Sequence, residues 1–118
     1  MMNLKVWAVT GTALLSWAAH AAVPADTFPS RPIRLVIPAG AGGITDILGR
    51  VIATKLTDSL GQQVIVDNRP GASGVVGSHI VAKSPADGHT LLMVFPSHPV
   101  NPALYPDIPF DTIKAFAP

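Results

Sequence analysis

Two small-residue loops carry the chemistry that is legible in this chain. The first is Pro38-Ala39-Gly40-Ala41-Gly42-Gly43-Ile44-Thr45-Asp46, following the run Ile33-Arg34-Leu35-Val36-Ile37. The second is Asn68-Arg69-Pro70-Gly71-Ala72-Ser73-Gly74, following Val64-Ile65-Val66-Asp67. Each lies between a strand-like apolar run and a helix-like segment. Backbone N–H groups at a helix start lack intrahelical partners, and the helix dipole is positive there. A glycine-rich turn lets a ligand come close to them, which suits each loop to an anion. Two such loops in consecutive β-α units would sit side by side at the carboxyl edge of one parallel sheet. The chemistry on offer is capture of a small anion by main-chain donors.

The side chains around these loops have competing readings. Thr45 and Asp46 read as helix N-caps, with Asp46 turned away from an anionic ligand. Ser73 suits either a cap for the following helix or a hydroxyl donor to a carboxylate. Arg69 has the planar fork that fits a carboxylate. Its place in Asp67-Asn68-Arg69-Pro70 equally suits a structural pair with Asp67 or Asp46, and we do not assign it to the site. His79 falls within a helix-like segment and His89 at a strand start, both expected at the surface. Ser97 and His98 follow the carboxyl end of a strand, where ligands bind in sheets of this kind.

The elements that must position these loops follow from pattern. Ile33–Ile37 is a strand of the continuous apolar kind that is covered on both faces. A helix is expected from Thr45 or Asp46 to Leu60, with Ile47, Leu48, Val51, Ile52 and Leu56 at helical spacing and Gly61 closing it. Gln63–Asp67 reads as a second strand, Gly74–Ala82 as a shorter helix, and Thr90–Phe95 as a third, buried strand. Ser84-Pro85-Ala86-Asp87-Gly88 is turn chemistry. Asn101–Tyr105 reads as a helical turn, and Pro106 to Phe110 as irregular. The order strand, helix, strand, helix, strand with right-handed crossovers predicts an α/β fold with a parallel sheet flanked by helices. Three strands leave sheet edges open, so the chain is expected to be the N-terminal part of something larger.

Residues 1–21 read as a cleaved signal peptide. Lys5 precedes the apolar run Val6–Ala18, and Ala19-His20-Ala21 fits the small-x-small cleavage pattern, giving a mature start near Ala22. Residues 22–32, with two prolines before Ser30, form an extended lead-in to a domain over 33–118. The whole chain has eight Lys and Arg against seven Asp and Glu, so loss of Lys5 leaves a neutral protein. Without massed positive charge, nucleic acid and membrane surfaces are poor partners. The absence of Cys excludes disulfides and thiolate metal sites.

Together these residues resemble the tripartite tricarboxylate transporter solute receptors, also called the Bug family. The resemblance is carried by Phe28-Pro29-Ser30-Arg31-Pro32-Ile33-Arg34-Leu35-Val36-Ile37-Pro38, Gly42-Gly43-Ile44-Thr45-Asp46 and Val66-Asp67-Asn68-Arg69-Pro70-Gly71-Ala72-Ser73-Gly74. Ala86-Asp87-Gly88-His89-Thr90-Leu91-Leu92 and Asn101-Pro102-Ala103-Leu104-Tyr105 extend it, in order and without gaps, to Pro118. It implies a type II-like periplasmic binding protein of two α/β lobes, of which only part of lobe 1 lies in this chain. It also implies a small carboxylate ligand, delivery to the membrane subunits of a tripartite transporter, and a C-terminal lobe in cis. Carried over by motif, the binding residues are Ala39, Gly40, Ala41, Gly42 and Thr45 from the first loop. Ala72, Ser73 and Gly74 come from the second, and Ser97 and His98 from the third. The family commonly has an aromatic residue at the position of Ala39 and proline near Gly40-Ala41, so a wider, more flexible first loop is implied here.

Enzyme chemistry finds little support. Gly40-Ala41-Gly42-Gly43-Ile44-Thr45 has Thr where the dinucleotide fingerprint needs glycine, and no phosphate-loop lysine follows. Gly71-Ala72-Ser73-Gly74-Val75 lacks the final glycine of a nucleophile elbow. The chain contains no Glu and no Cys, and only four His, too few groups for a metal or acid–base constellation. No cofactor is expected. The alternatives in other classes are a fragment of a secreted α/β hydrolase and a truncated product that binds nothing.

Overall fold

In a computed structural model, residues 27–118 are described. The expected signal peptide and the first part of the lead-in therefore lie outside the described residues. The element order is β1 (Ile33–Ile37), α1 (Ile44–Leu60), β2 (Val64–Asn68), α2 (Val75–Ala82), β3 (Thr90–Leu92) and α3 (Asn101–Leu104). A single 3₁₀ turn, Ala72–Gly74, leads into α2. The three strands form one parallel sheet in the order β2-β1-β3. Ile33 lies opposite Val64 and Ile37 opposite Asn68 on one side, and Leu35 lies opposite Leu91 on the other. This is the α/β sheet that the pattern predicts.

The central strand supplies the core. Ile33, Leu35, Val36 and Ile37 are all buried, with Ala53 of α1 and Val64 of β2 packed against them. Each such aliphatic side chain contributes about 1.5–3 kcal/mol when fully buried. Arg34 is accommodated in the middle of β1 because Asp67 of the neighbouring strand accepts its Nε–H at 2.7 Å. α1 ends at Gly61, which adopts φ +67° and returns its N–H to Thr57 O at 3.0 Å. That left-handed stop is a normal use of glycine. The Thr57 hydroxyl accepts the Val64 N–H at 3.0 Å and so sets the start of β2.

Several elements depart from the sequence pattern. The helix α1 does not bury Ile47, Leu48, Val51 and Ile52, which are roughly half exposed. Its buried stripe is Asp46, Gly49 and Ala53, with Leu56 and Leu60 packed at the margin. The reason is proximity, since a Cβ at Gly49 would meet Ile37 Cδ1 at 2.3 Å. Only small residues fit where α1 crosses β1. β2 is shifted by one residue from the expected Gln63–Asp67. β3 ends at Leu92 rather than Phe95, and its three residues are only half-buried because it is an edge strand. His89 is buried at 7% exposure rather than lying at the surface. His79 is half-buried, stacked on Phe110 at 5.7 Å.

Candidate functional site

Parallel strands put the three strand-to-helix connections at one edge of the sheet, and hydrogen bonds lock them together there. Arg69 N donates to Ile37 O at 2.8 Å, and Met93 N donates to Val36 O at 3.0 Å. Asn68 Nδ2 donates to Ala39 O at 3.2 Å, tying the second loop to the first. Ser97 Oγ donates to Ser73 O at 3.1 Å, tying the third loop to the second. The close seat of α2 on this edge requires Gly77, where a Cβ would lie 2.7 Å from Pro38 Cβ and 2.9 Å from Arg69 O.

The first loop is held from below by Asp46. Its carboxylate accepts the Gly42 N–H at 2.9 Å, Arg50 Nε–H at 3.0 Å and Asn68 Nδ2–H at 3.0 Å. The Arg50 bond and then the Gly42 N–H hold the Asp46 carboxyl down to about 2, outweighing the cost of desolvation. Asp46 is therefore not the N-cap of α1, and it does not point away from the loop. The cap position is Gly43, with extended backbone and no side-chain bond, and the carboxylate reaches back from the first turn instead. Its negative charge is balanced by Arg50, which leaves the N–H face of the loop free to attract an anion. Gly40, Ala41 and Gly43 have exposed backbones whose N–H groups meet no partner among the described residues.

The second loop is conformationally unusual. Gly71, Ala72, Ser73 and Gly74 have φ of +136°, +44°, +51° and +90° in succession. Glycine takes such angles freely, but each non-glycine residue in the left-handed region costs roughly 1–2 kcal/mol. Ala72 and Ser73 persist there because the surroundings hold them. Gly74 N–H bonds to Gly71 O at 2.9 Å, while the N–H groups of Ala72 and Ser73 meet no partner among the described residues. Strain of this kind collects at ligand clamps and other functional sites. The Ser73 hydroxyl does not cap α2 and instead hydrogen-bonds Tyr105 Oη at 3.2 Å.

The third connection is mostly a brace. His98 Nε2–H donates to Thr112 O at 2.9 Å, and Nδ1 meets the Ser78 hydroxyl at 3.2 Å. Its ring also packs edge-on against Phe116. Arg69 pairs with Asp67, not Asp46, its Nε–H lying 2.9 Å from Oδ1. Arg34 bonds the same carboxylate, which is held below the ordinary range because the two arginines outweigh its partial burial. A concavity of about 470 Å³ lies away from the loops, between α1 and β2, lined by residues such as Arg50, Thr54, Gln63 and Ile65.

The family model described as tripartite tricarboxylate transporter family receptor matches residues 48–118. The chain belongs to this family. Its receptors bind solutes and are not enzymes. Protein BugT of Bordetella pertussis is 45% identical over 120 residues, covering 99% of this chain and 37% of BugT. The chain thus spans little more than a third of that relative's length. The solved periplasmic binding protein BugD superposes with a TM-score of 0.74 at 34% identity, covering 77% of this chain and 30% of BugD. MatC from Rhodopseudomonas palustris, solved with bound malate, gives a TM-score of 0.72 at 35% identity over 77% of this chain and 31% of MatC. The fold is that of part of a periplasmic binding protein.

Within this receptor family member, the residues expected at the site fall in three groups. Gly40, Ala41 and Gly42 are exposed on the first loop, with Ala39 packed against the core and Thr45 half-buried behind. Ala72 and Ser73 are exposed on the second loop, over a buried Gly74. Ser97 supports the second loop, and His98 has both ring nitrogens engaged within the chain. Sequence reasoning missed Asp46, Arg50 and Asn68 as a loop-holding network, and Asn101, which is buried at 2% exposure. The Asp46–Arg50 spacing of four on a helix was the available signal. Nothing local in Asn101-Pro102 announces a bond to a residue 28 positions earlier.

Proposed function

We propose that this chain is part of the first lobe of an extracytoplasmic receptor that binds a small carboxylate metabolite for a tripartite transporter. The observation that carries the proposal is the pair of interlocked loops in which the N–H groups of Gly40, Ala41, Gly43, Ala72 and Ser73 lack partners among the described residues. Gly40, Ala41 and Gly42 with Thr45 at the start of α1, and Ala72, Ser73 and Gly74 at the start of α2, form the carboxylate seat. Ala39, Ser97 and His98 shape and brace it. The malate held by MatC supports a carboxylate of this size. A second lobe supplied by the rest of the polypeptide covers the ligand, and the membrane subunits receive it. Residues 1–21 direct export to the periplasm and are removed before Ala22.

The test is isothermal titration of the full-length receptor with malate, adipate and citrate. Gly42→Val and Gly74→Val abolish binding in folded protein, because both positions need positive φ and the ligand needs close backbone approach. Ser73→Ala weakens it by about 1 kcal/mol or somewhat more, as for one hydrogen bond to a charged group. Unchanged affinity in folded Gly42→Val and Gly74→Val variants would reduce both loops to simple turns.

A further inference from the structure

Asn101 is the most buried polar side chain of the third connection, and it opens the short helix α3. Its Nδ2–H donates to Ser73 O at 3.0 Å, where the Ser97 hydroxyl already donates at 3.1 Å. A carbonyl oxygen has two lone pairs, so both are taken. With its carbonyl held from two sides, the peptide between Ser73 and Gly74 cannot rotate. That peptide joins the left-handed Ser73 (φ +51°, ψ +34°) to Gly74 (φ +90°), so holding it fixes the exit of the strained turn. The clamp is itself anchored, since Asn101 N bonds Ser97 O at 2.9 Å and Tyr105 N bonds Asn101 O at 2.8 Å. The Tyr105 hydroxyl adds a third tie, to the Ser73 side chain.

The other end of the Asn101 amide shows why the donor matters. Oδ1 is buried and has no partner among the described residues. A buried acceptor left unmet is unfavourable, and a leucine of similar size would avoid it. What asparagine has and leucine lacks is the N–H that reaches Ser73 O.

We propose that Asn101, assisted by Ser97, is a positioning residue that holds the second loop in its ligand-presenting conformation. The role rests on the carboxylate function proposed above, because the groups it presents are the Ala72 and Ser73 N–H groups of that seat. The third connection therefore acts on the ligand through the second, without touching it.

Two measurements on the full-length receptor test this. Amide hydrogen exchange at Gly74, whose N–H bonds Gly71 O inside the strained turn, reports the loop without any ligand. Titration with malate and adipate reports the site. In Asn101→Ala, folded by circular dichroism, Gly74 exchanges at least tenfold faster and affinity falls at least tenfold. Ser97→Ala moves both in the same direction by two- to fivefold, and carries the test if Asn101→Ala does not fold. Measured against Ser73→Gly alone, which already lacks the hydroxyl, adding Asn101→Ala costs little affinity, a recovery of most of the tenfold loss, because glycine takes the left-handed angle without a clamp. A purely packing role for Asn101 predicts no such recovery. Unchanged Gly74 exchange in either variant overturns the proposal whatever the binding data show. Wild-type protein that binds neither acid while Gly74 exchange still responds supports the clamp and counts against the carboxylate function.

Discussion

Gly74→Ala is expected to destabilise the site, and the structure separates its two causes. The first is conformational. Gly74 has φ +90°, and an alanine held in that region loses about 1–2 kcal/mol relative to glycine. The second is steric. The new Cβ would lie 3.0 Å from Phe95 Cζ, 3.3 Å from Phe95 Cε1 and 3.3 Å from Pro38 Cβ. Relieving such overpacking costs about 1–3 kcal/mol, so the total is about 2–5 kcal/mol. Gly42→Ala is the control, because Gly42 has a similar φ of +84° with nothing within 4 Å of the added methyl. It should cost only the conformational part, about 1–2 kcal/mol. Equilibrium urea unfolding of the full-length protein, followed by circular dichroism, measures both. Phe95→Leu removes the ring edge that the methyl strikes, so the double variant should be more stable than the sum of the singles by about 1 kcal/mol. Equal losses for Gly74→Ala and Gly42→Ala, or strict additivity with Phe95→Leu, would mean that the second loop does not seat against Phe95 and Pro38.

Three further outcomes are expected. Asp46 has a carboxyl held down to about 2 in the folded state against an ordinary value near 3.8, so its contribution is fully present above about pH 4. It is lost as pH falls toward 2, and Asp46→Asn should flatten that part of the acid-unfolding profile while loosening the first loop. Arg69→Ala should leave carboxylate affinity unchanged and cost less than about 1 kcal/mol in urea unfolding, since the arginine is half exposed and, among the described residues, pairs only with Asp67. Leu48→Glu places a charge on the half-exposed apolar flank of α1. If the rest of the first lobe packs there, it should destabilise the full-length protein by about 1.5–3 kcal/mol, and a neutral result in the same urea assay would argue that this flank stays in water.

The sheet was legible because β1 and β2 are short runs rich in Ile and Val with glycine and proline close by, and order alone then dictates parallel pairing. The loops were legible for the same reason: glycines at positions 40, 42, 43, 71 and 74 mark where a strand must turn into a helix. The face that α1 buries was not. Periodicity favours Ile47, Leu48, Val51 and Ile52, but the helix approaches β1 so closely that Gly49 and Ala53 must face it. Apolar pattern reports what will eventually be covered, whereas small residues report where backbones come nearest. Asp46 was misread because a capping residue and a loop-holding carboxylate share one sequence position, and only the Gly42 and Asn68 bonds separate them. Asn101 was invisible because its partner, the Ser73 carbonyl, belongs to the main chain and leaves no mark in composition or spacing.

The central claim is that main-chain N–H groups of the first two loops hold the ligand carboxylate, and amide chemical shifts of the full-length receptor during titration with malate and adipate test it most directly. The signals of Gly40, Ala41, Gly43, Ala72 and Ser73 should move saturably with one common affinity, while those of α1 beyond Arg50 stay in place. Saturable binding that leaves these five amides unmoved would contradict the account.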